Sequence, residues 1–320
     1  MTGRICGTGS ALPRLRVTND DLSKIMDTSD EWIKSRTGIE ARHLATEETT
    51  TSLAVEAAER ALENAGMAAE ELDLIIAASV SADRFIPTLS CEVQSALGAT
   101  NATAFDIGAA CSGFLFALST VQAYIMSGQC KKALIIGAEV LSKIMDWEDR
   151  STCVLFGDGA GAAVICAEDT GIMQVVHGSD GAKGMYLACD SRPVNNPYKK
   201  NPTELSYISM NGQEVYKFAV RTVPMCIQEA LDKAGVTADE ISCFVLHQAN
   251  LRIIESVAKR LGQPMDKFPV NLNECGNISA ASVPILLDNV NRRGMINEGD
   301  KIVLAGFGAG LTWGAAVLTW

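Results

Sequence analysis

The sequence predicts a layered α/β protein made of two similar halves, each giving one buried helix to the centre. Three observations carry this expectation. The segment at 61–77, ALENAGMAAEELDLIIA, returns at 230–246 as ALDKAGVTADEISCFVL, with six identities. The same offset of 169 lays KALIIG at 132–137 on KIVLAG at 301–306, and the segment around Cys111 on the one around Ala280. Short, almost continuous apolar runs alternate with longer helical stretches, as expected of strands covered on both faces. One constant offset over separated segments marks a repeat, with halves of roughly 1–170 and 171–320.

The elements follow in order. ALENAG ends a helix at Gly66, and its copy ends at Gly235, where a helix C-cap wants a left-handed residue. LDLIIAASV is the strand that follows, and TAFDIGAA is a second. CSGFLFALSTVQAYIMSG, opening at Cys111, is apolar on nearly all sides and so reads as a buried helix. KALIIGAEV is a strand, and FGDGAGAAVI at 156–165 is a tight turn into another. It lacks the GK[ST] ending of a phosphate loop. Residues 179–208, rich in Gly, Pro, Asn and Ser, read as a functional loop, a lid or a pocket wall. ISCFVLH, the second buried helix SAASVPILLDNVNRRG and the strand KIVLAGFGAG complete the second half.

Composition narrows the function classes. The 320 residues are 48% apolar, with 27 basic and 38 acidic residues for a net charge of −11. That supports a large core and disfavours a nucleic-acid partner. No apolar run is long enough for a membrane span, and MTGRICGTGSALP lacks a secretory apolar region, so a cytoplasmic protein is expected. The ten cysteines come no closer than 13 residues, so CxxC metal, redox and haem motifs are absent. Ten reduced thiols are expected.

Chemistry is sought where the two copies differ. Across the offset of 169, Cys111 faces Ala280, His247 faces Ala78 and Asn277 faces Gly108. One half thus supplies a thiol and the other an imidazole and an amide, at positions that would converge on the seam. Cys111 opens a helix among small residues, where the dipole should lower its pKa. His247 ends a strand, where α/β proteins build their sites, whereas His43 and His177 read as surface or structural histidines. Asn277 alone would read as a turn or cap residue. The backbone of GFGAG at 306–310 could serve a developing oxyanion.

These residues bring a family into view. The chain resembles the thiolase-like condensing enzymes, and within them the β-ketoacyl-acyl-carrier-protein synthase III family. The resemblance runs through GTGSALP, DTSDEWIKSRTGI, AACSGF, FGDGAGAAV, HQANLRI, GNISAAS and GFGAGLTWG. It implies a five-layered αβαβα fold and a Cys–His–Asn triad matched by Cys111, His247 and Asn277. Elongating synthases have two histidines, and thiolases have a second cysteine. The resemblance further implies an oxyanion hole from the N–H groups of Cys111 and Ala309. Coenzyme A contacts would come from Thr28, Trp32, Arg36, Arg150 and Asn250. Gln248, Arg252, Lys259 and Arg260 would receive the acidic carrier protein, and Ile86 and Phe156 would bound the acyl pocket. Ile278 and Ala309 depart from the residues commonest in the family.

What the resemblance implies is decarboxylative condensation of an acyl-CoA primer, acetyl-CoA foremost, with malonyl-acyl-carrier protein. The enzyme would be a homodimer and need no metal or redox cofactor. The alternatives are a same-fold enzyme of secondary metabolism and a binding module that retains the fold. A cysteine hydrolase is disfavoured, because no GxCxG elbow is present.

Overall fold

The computed structural model describes residues 1–201 and 206–320; residues 202–205, inside the expected loop, lie outside the described residues. Nine strands form two sheets. The first has β1 (Thr2–Ala11), β2 (Leu74–Ala78), β3 (Thr103–Ile107), β4 (Lys132–Val140) and β5 (Asp158–Glu168), in the order β1-β5-β4-β2-β3. The second has β6 (Met173–Ser179), β7 (Ile241–Leu246), β8 (Lys301–Gly308) and β9 (Thr312–Thr319), in the order β7-β8-β9-β6. In both, a parallel pair (β2 with β4, β7 with β8) continues into antiparallel neighbours. The second sheet has no counterpart of β3, because 272–275 forms a short helix there.

The helices stack on these sheets in five layers, as the resemblance implied. Outside the first sheet lie α2 (Thr50–Ala65) and α3 (Leu89–Leu97), preceded in the chain by α1 (Asp30–Thr37). Between the sheets lie α4 (Gly113–Met126) and α7 (Ser282–Arg292), and outside the second lie α5 (Gly212–Ala234) and α6 (Leu251–Leu261). The alternation of strand side chains fixes the layers. Ile302 and Leu304 of β8 join Phe114, Leu118, Leu286 and Leu287 of the central helices. Val303 and Ala305, one residue out of phase, pack with Ile227, Leu231 and Ile254 outside. Leu74 and Ile76 face the centre, whereas Ile75 and Ala77 face Ala57 and Ala61 of α2.

Local signals are met at the helix ends. A capping box between Thr49 and Ser52 starts α2, and Gly66 ends it at φ 62, ψ 34. Gly235 ends α5 at φ 66, ψ 34. One expectation is corrected: Cys6 and Cys166 are joined as a disulfide, so the chain does not carry ten separate thiols. A register shift after Ile5 brings Cys6 against the facing strand, and a separation of 160 residues hides that pairing from the sequence.

The two central helices begin where the turns that lead into them meet. Short helical turns, Ala110–Ser112 and Ser279–Ala281, lead into α4 and α7. Ala110 and Ser279, again 169 apart, are the two described non-glycine residues at positive φ, 44 and 42. Gly137 permits this approach: a Cβ there would lie 2.2 Å from the Ala280 carbonyl oxygen. Gly137→Ala is therefore expected to destabilise the fold by about 1–3 kcal/mol or more, as overpacked cores do. Urea denaturation checks this, and an unchanged midpoint would contradict the close packing.

Candidate active site

Cys111 occupies the turn into α4 and is 6% exposed. His247 extends β7 by one residue, its N–H donating to the Ala305 carbonyl at 2.8 Å. Asn277 is clamped by its backbone: its N–H donates to Leu155 O (2.8 Å) and its carbonyl accepts from Gly157 N–H (3.0 Å). The Asn277 Oδ1 accepts from Ser279 N–H at 2.9 Å, which orients the side-chain NH2 as a free donor. Buried Arg42 steadies the same loop, donating to Val154 O (2.7 Å) and Asn19 Oδ1 (2.8 Å); burial lowers its pKa to about 10.

All three side chains line one cavity of about 300 Å3, together with Phe156, Phe307 and Gly308. The cavity also reaches Trp32, Arg36, Ser151 and Asn250. Leu187 contributes one wall, so the base of the expected loop does border the pocket. Gly308 is needed here, because a Cβ would sit 2.7 Å from the Cys111 nitrogen. The Ser112 and Thr312 hydroxyls, 2.6 Å apart, knit the two sides together. Ser112 bonds Ala109 O (2.9 Å), and Thr312 bonds Ala309 O (2.9 Å), so the loop carrying Ala309 is tied to the turn carrying Cys111.

Electrostatics differ from the sequence expectation. Burial, with the neighbouring Glu139 charge, pushes the Cys111 thiol up to about 12. The helix dipole, worth about 0.3–1 kcal/mol, does not offset this desolvation. Burial also pushes His247 down to about 3, so the ring is neutral throughout the physiological range. Its Nδ1 lies 2.5 Å from Ser282 Oγ, which also lies 2.9 Å from the Ser279 carbonyl. The ring packs edge-on against Phe307.

At the cavity mouth, the Arg36 and Arg150 guanidinium groups lie 4.6 and 5.4 Å from the Trp32 ring centroid. Arg150 also donates to the Asp27 carboxylate at 3.0 Å. Asn250 caps α6, its Oδ1 accepting from Arg252 N–H, while its NH2 donates to Arg36 O. Thr28 does not line the cavity; its Oγ1 is buried and has no hydrogen-bond partner among the described residues.

Two docking expectations change. Gln248 is fully buried, its ends held by Leu246 O and the N–H groups of Asn271 and Leu272, so it cannot meet a partner. Arg252, Lys259 and Arg260 are exposed on α6, but Arg252 donates to Ser35 O at 2.6 Å. At about 100° per residue, Lys259 aligns with Arg252 and Arg260 sits well round the helix. Ile86 is 84% exposed and does not line the cavity of this chain.

The site also contains residues that sequence reasoning passed over: Glu139, Ser279, Ser282 and Thr312. Glu139 had left a signal, as the one acid inside the apolar run KALIIGAEV. The hydroxyls left none.

A buried thiol, imidazole and amide meeting between two stacked α/β layers define a thiolase-like condensing enzyme. Residues 105–181 match 3-oxoacyl-[acyl-carrier-protein (ACP)] synthase III, and residues 231–320 match the C-terminal part of the same family. The chain is 50% identical over 318 residues to a β-ketoacyl-[acyl-carrier-protein] synthase III of Clostridium acetobutylicum, covering 99% of this chain and 98% of that protein. The crystal structure of 3-oxoacyl-[acyl-carrier-protein] synthase III from Aquifex aeolicus superposes with a TM-score of 0.93 at 46% identity, over 99% of this chain and 100% of that one. The priming β-ketosynthase of the R1128 polyketide pathway superposes with a TM-score of 0.94 at 38% identity, over 99% and 96%. The chain belongs to the β-ketoacyl-[acyl-carrier-protein] synthase III family.

The depressed His247 pKa has a measurable consequence. A histidine whose folded pKa is lowered supports the fold fully above its unfolded value of about 6.5 and loses that support as pH falls toward the folded value. Between pH 6.5 and 5, the stability of His247→Ala relative to wild type is expected to rise by about 2 kcal/mol. Urea midpoints of the two proteins at both pH values test this; a constant gap would mean that His247 titrates normally.

Proposed function

We propose that this enzyme loads an acyl group from an acyl-CoA onto Cys111 and condenses it with a malonyl-acyl-carrier protein, initiating fatty-acid synthesis. The observation that carries the reading is that Cys111, His247 and Asn277 line a single cavity opening beside Trp32 and its two guanidinium groups. In the first half-reaction, the Cys111 thiolate attacks the thioester carbonyl and coenzyme A leaves as its thiolate. In the second, His247 and Asn277 donate to the malonyl thioester oxygen. Loss of CO2 leaves negative charge on that oxygen, which two fixed donors in a dry pocket stabilise. The donor role needs a proton on His247 Nε2, with the Ser282 hydroxyl turned away from the Ser279 carbonyl to donate its one proton to Nδ1. The enolate carbon then attacks the acyl-enzyme carbonyl, the N–H groups of Cys111 and Ala309 hold the second oxyanion, and its collapse breaks the C–S bond and frees the Cys111 thiolate. Every step is acyl transfer or decarboxylation, so the proposal requires no metal or redox cofactor.

Trp32 and Arg150, with Arg36, fit the coenzyme A nucleotide, and Asn250 the pantetheine arm. Thr28 has less support, since it does not border the cavity. The exposed Phe85 and Ile86, on one loop, suit a second copy of the chain in a homodimer. Phe156 would bound the acyl end from within. We divide the chain at about residue 170, since β5 ends at Glu168 and β6 begins at Met173. The likeness to a polyketide priming synthase supports a second reading, in which the product enters secondary metabolism. Competition between malonyl-carrier protein and malonyl-CoA as acceptors separates the two.

Cys111→Ala is expected to abolish the acetyl adduct seen by intact-protein mass spectrometry after acetyl-CoA treatment. His247→Ala and Asn277→Ala should retain the adduct while losing malonyl decarboxylation by roughly 100-fold or more, the scale of one removed oxyanion donor. Wild-type decarboxylation in both variants would overturn the division of roles. For carrier-protein docking, Lys259→Glu is the cleaner probe, because Arg252 also holds the end of α1. It should raise KM for malonyl-carrier protein and leave acylation by acetyl-CoA unchanged, since rim charges act on encounter. Equal losses in both half-reactions would remove α6 from the docking surface.

A further inference from the structure

The backbone N–H groups of Cys111 and Ala309 donate to no other backbone group among the described residues. Their relative position is set by the chain around them. Gly308 ends β8 against the nucleophile turn, where a Cβ would lie 2.7 Å from the Cys111 nitrogen and 2.9 Å from its Cβ. Beyond it the chain turns through Ala309 and Gly310, the latter at φ 131. Leu311 anchors the far end by exchanging two backbone bonds with Asp180, at 2.8 and 3.0 Å. Between these anchors, the Ala309 carbonyl accepts from one group among the described residues, Thr312 Oγ1 at 2.9 Å. Thr312 Oγ1 lies 2.6 Å from the fully buried Ser112 Oγ, and the two hydroxyls reach the Ala109 carbonyl at 3.1 and 2.9 Å.

Proton counting gives this pair a direction. Each hydroxyl has one proton to donate, and the close contact between the two oxygens takes one of them. If Thr312 donated to Ser112 and Ser112 to the Ala109 carbonyl, the Ala309 carbonyl would have no donor from the protein. In the other direction Ser112 donates to Thr312 and Thr312 to the Ala309 carbonyl, while the Ser112 N–H, 3.2 Å away, serves the Ala109 carbonyl. Only that direction leaves each carbonyl a donor. We propose that Ser112 and Thr312 are positioning residues of the oxyanion site. Their linked hydroxyls run from the turn that carries Cys111 to the Ala309 peptide and hold the two N–H donors at one spacing. Neither hydroxyl touches the reacting atoms or gives up its proton. The pair serves the two steps in which a carbonyl oxygen becomes an oxyanion at these donors: attack of Cys111 on the acyl-CoA, and attack of the enolate on the acyl-enzyme. Decarboxylation develops its charge at His247 and Asn277, whose hydrogen bonds run to Ser282 and Ser279 instead. The inference rests on the oxyanion role proposed above for the Cys111 and Ala309 N–H groups.

Thr312→Val removes the hydroxyl and keeps a β-branched side chain at the start of β9. Single-turnover acylation by acetyl-CoA, timed by intact-protein mass spectrometry, should slow by about 10–100-fold at saturating substrate, short of the loss from a deleted donor. The acetyl-CoA concentration for half-maximal rate should stay within about two-fold, since binding is untouched. Decarboxylation of malonyl-carrier protein should also stay within about two-fold, the opposite split from His247→Ala. Thr312→Ser should restore acylation to within about three-fold of wild type. Ser112→Ala, which deletes a single buried oxygen and keeps the test available if Thr312→Val fails to fold, should slow acylation by about three- to ten-fold and spare decarboxylation. The double variant should be no slower than Thr312→Val, because one linkage breaks only once. Wild-type acylation in Thr312→Val or Ser112→Ala would overturn the proposal. So would equal losses in acylation and decarboxylation, failed rescue by Thr312→Ser, or losses that multiply in the double variant. If the wild type itself forms no acetyl adduct, the proposed condensation fails and this inference with it. If the wild type acylates and the variants match it, this inference alone fails.

Discussion

The contact between two short turns, Ala110–Ser112 and Ser279–Ala281, is the constraint on which the structure depends. Each starts a central helix, and each must come close to the strand of the opposite half. Gly137 approaches the Ala280 carbonyl as its counterpart Gly306 approaches the Cys111 carbonyl, with ideal Cβ positions 2.2 and 3.3 Å from those oxygens. Interiors are close-packed, so this separation has little room to drift. The sheets cannot part without opening the cavity, and the cavity cannot change shape without disturbing both sheets. A thiol from one half and an imidazole and amide from the other are thereby held by backbone packing rather than by loops.

Burial then sets the chemistry. The seam excludes water, so each polar group there either finds fixed partners or changes protonation state. His247 stays neutral and is steadied through Ser282, while Asn277 spends its oxygen on Ser279 and keeps its NH2 for the pocket. Arg42 remains charged because three backbone and side-chain oxygens surround it. Burial raises the pKa of both Cys111 and Glu139. A site built in this way stores little charge at rest and has preset donors where charge will develop.

The surface follows a different logic. The chain carries −11 overall, whereas the cavity mouth and α6 present Arg36, Arg150, Lys259 and Arg260. A local cationic rim on an acidic body can steer anionic partners. The rim's residues are not free cations in equal measure. Arg36 and Arg150 lie over Trp32, and Arg252 is anchored to α1.

The sequence by itself determined the layered α/β class, the two buried helices and the capping glycines Gly66 and Gly235, because these depend on periodicity and on local backbone preference. It also marked Cys111, His247 and Asn277, since comparison across the 169-residue offset separates reactive residues from shared core. Only the tertiary structure decided what surrounds them. Gln248 reads as polar and available, yet burial turns it into a brace for the 271–272 backbone. The helix dipole argued for an acidic Cys111 thiol, yet desolvation, which no sequence window reports, reverses the direction. Cys6 and Cys166, and Ser112 and Thr312, meet across 160 and 200 residues of chain. Such pairs are set by how the sheets stack, and stacking is a property of the whole chain rather than of any segment in it.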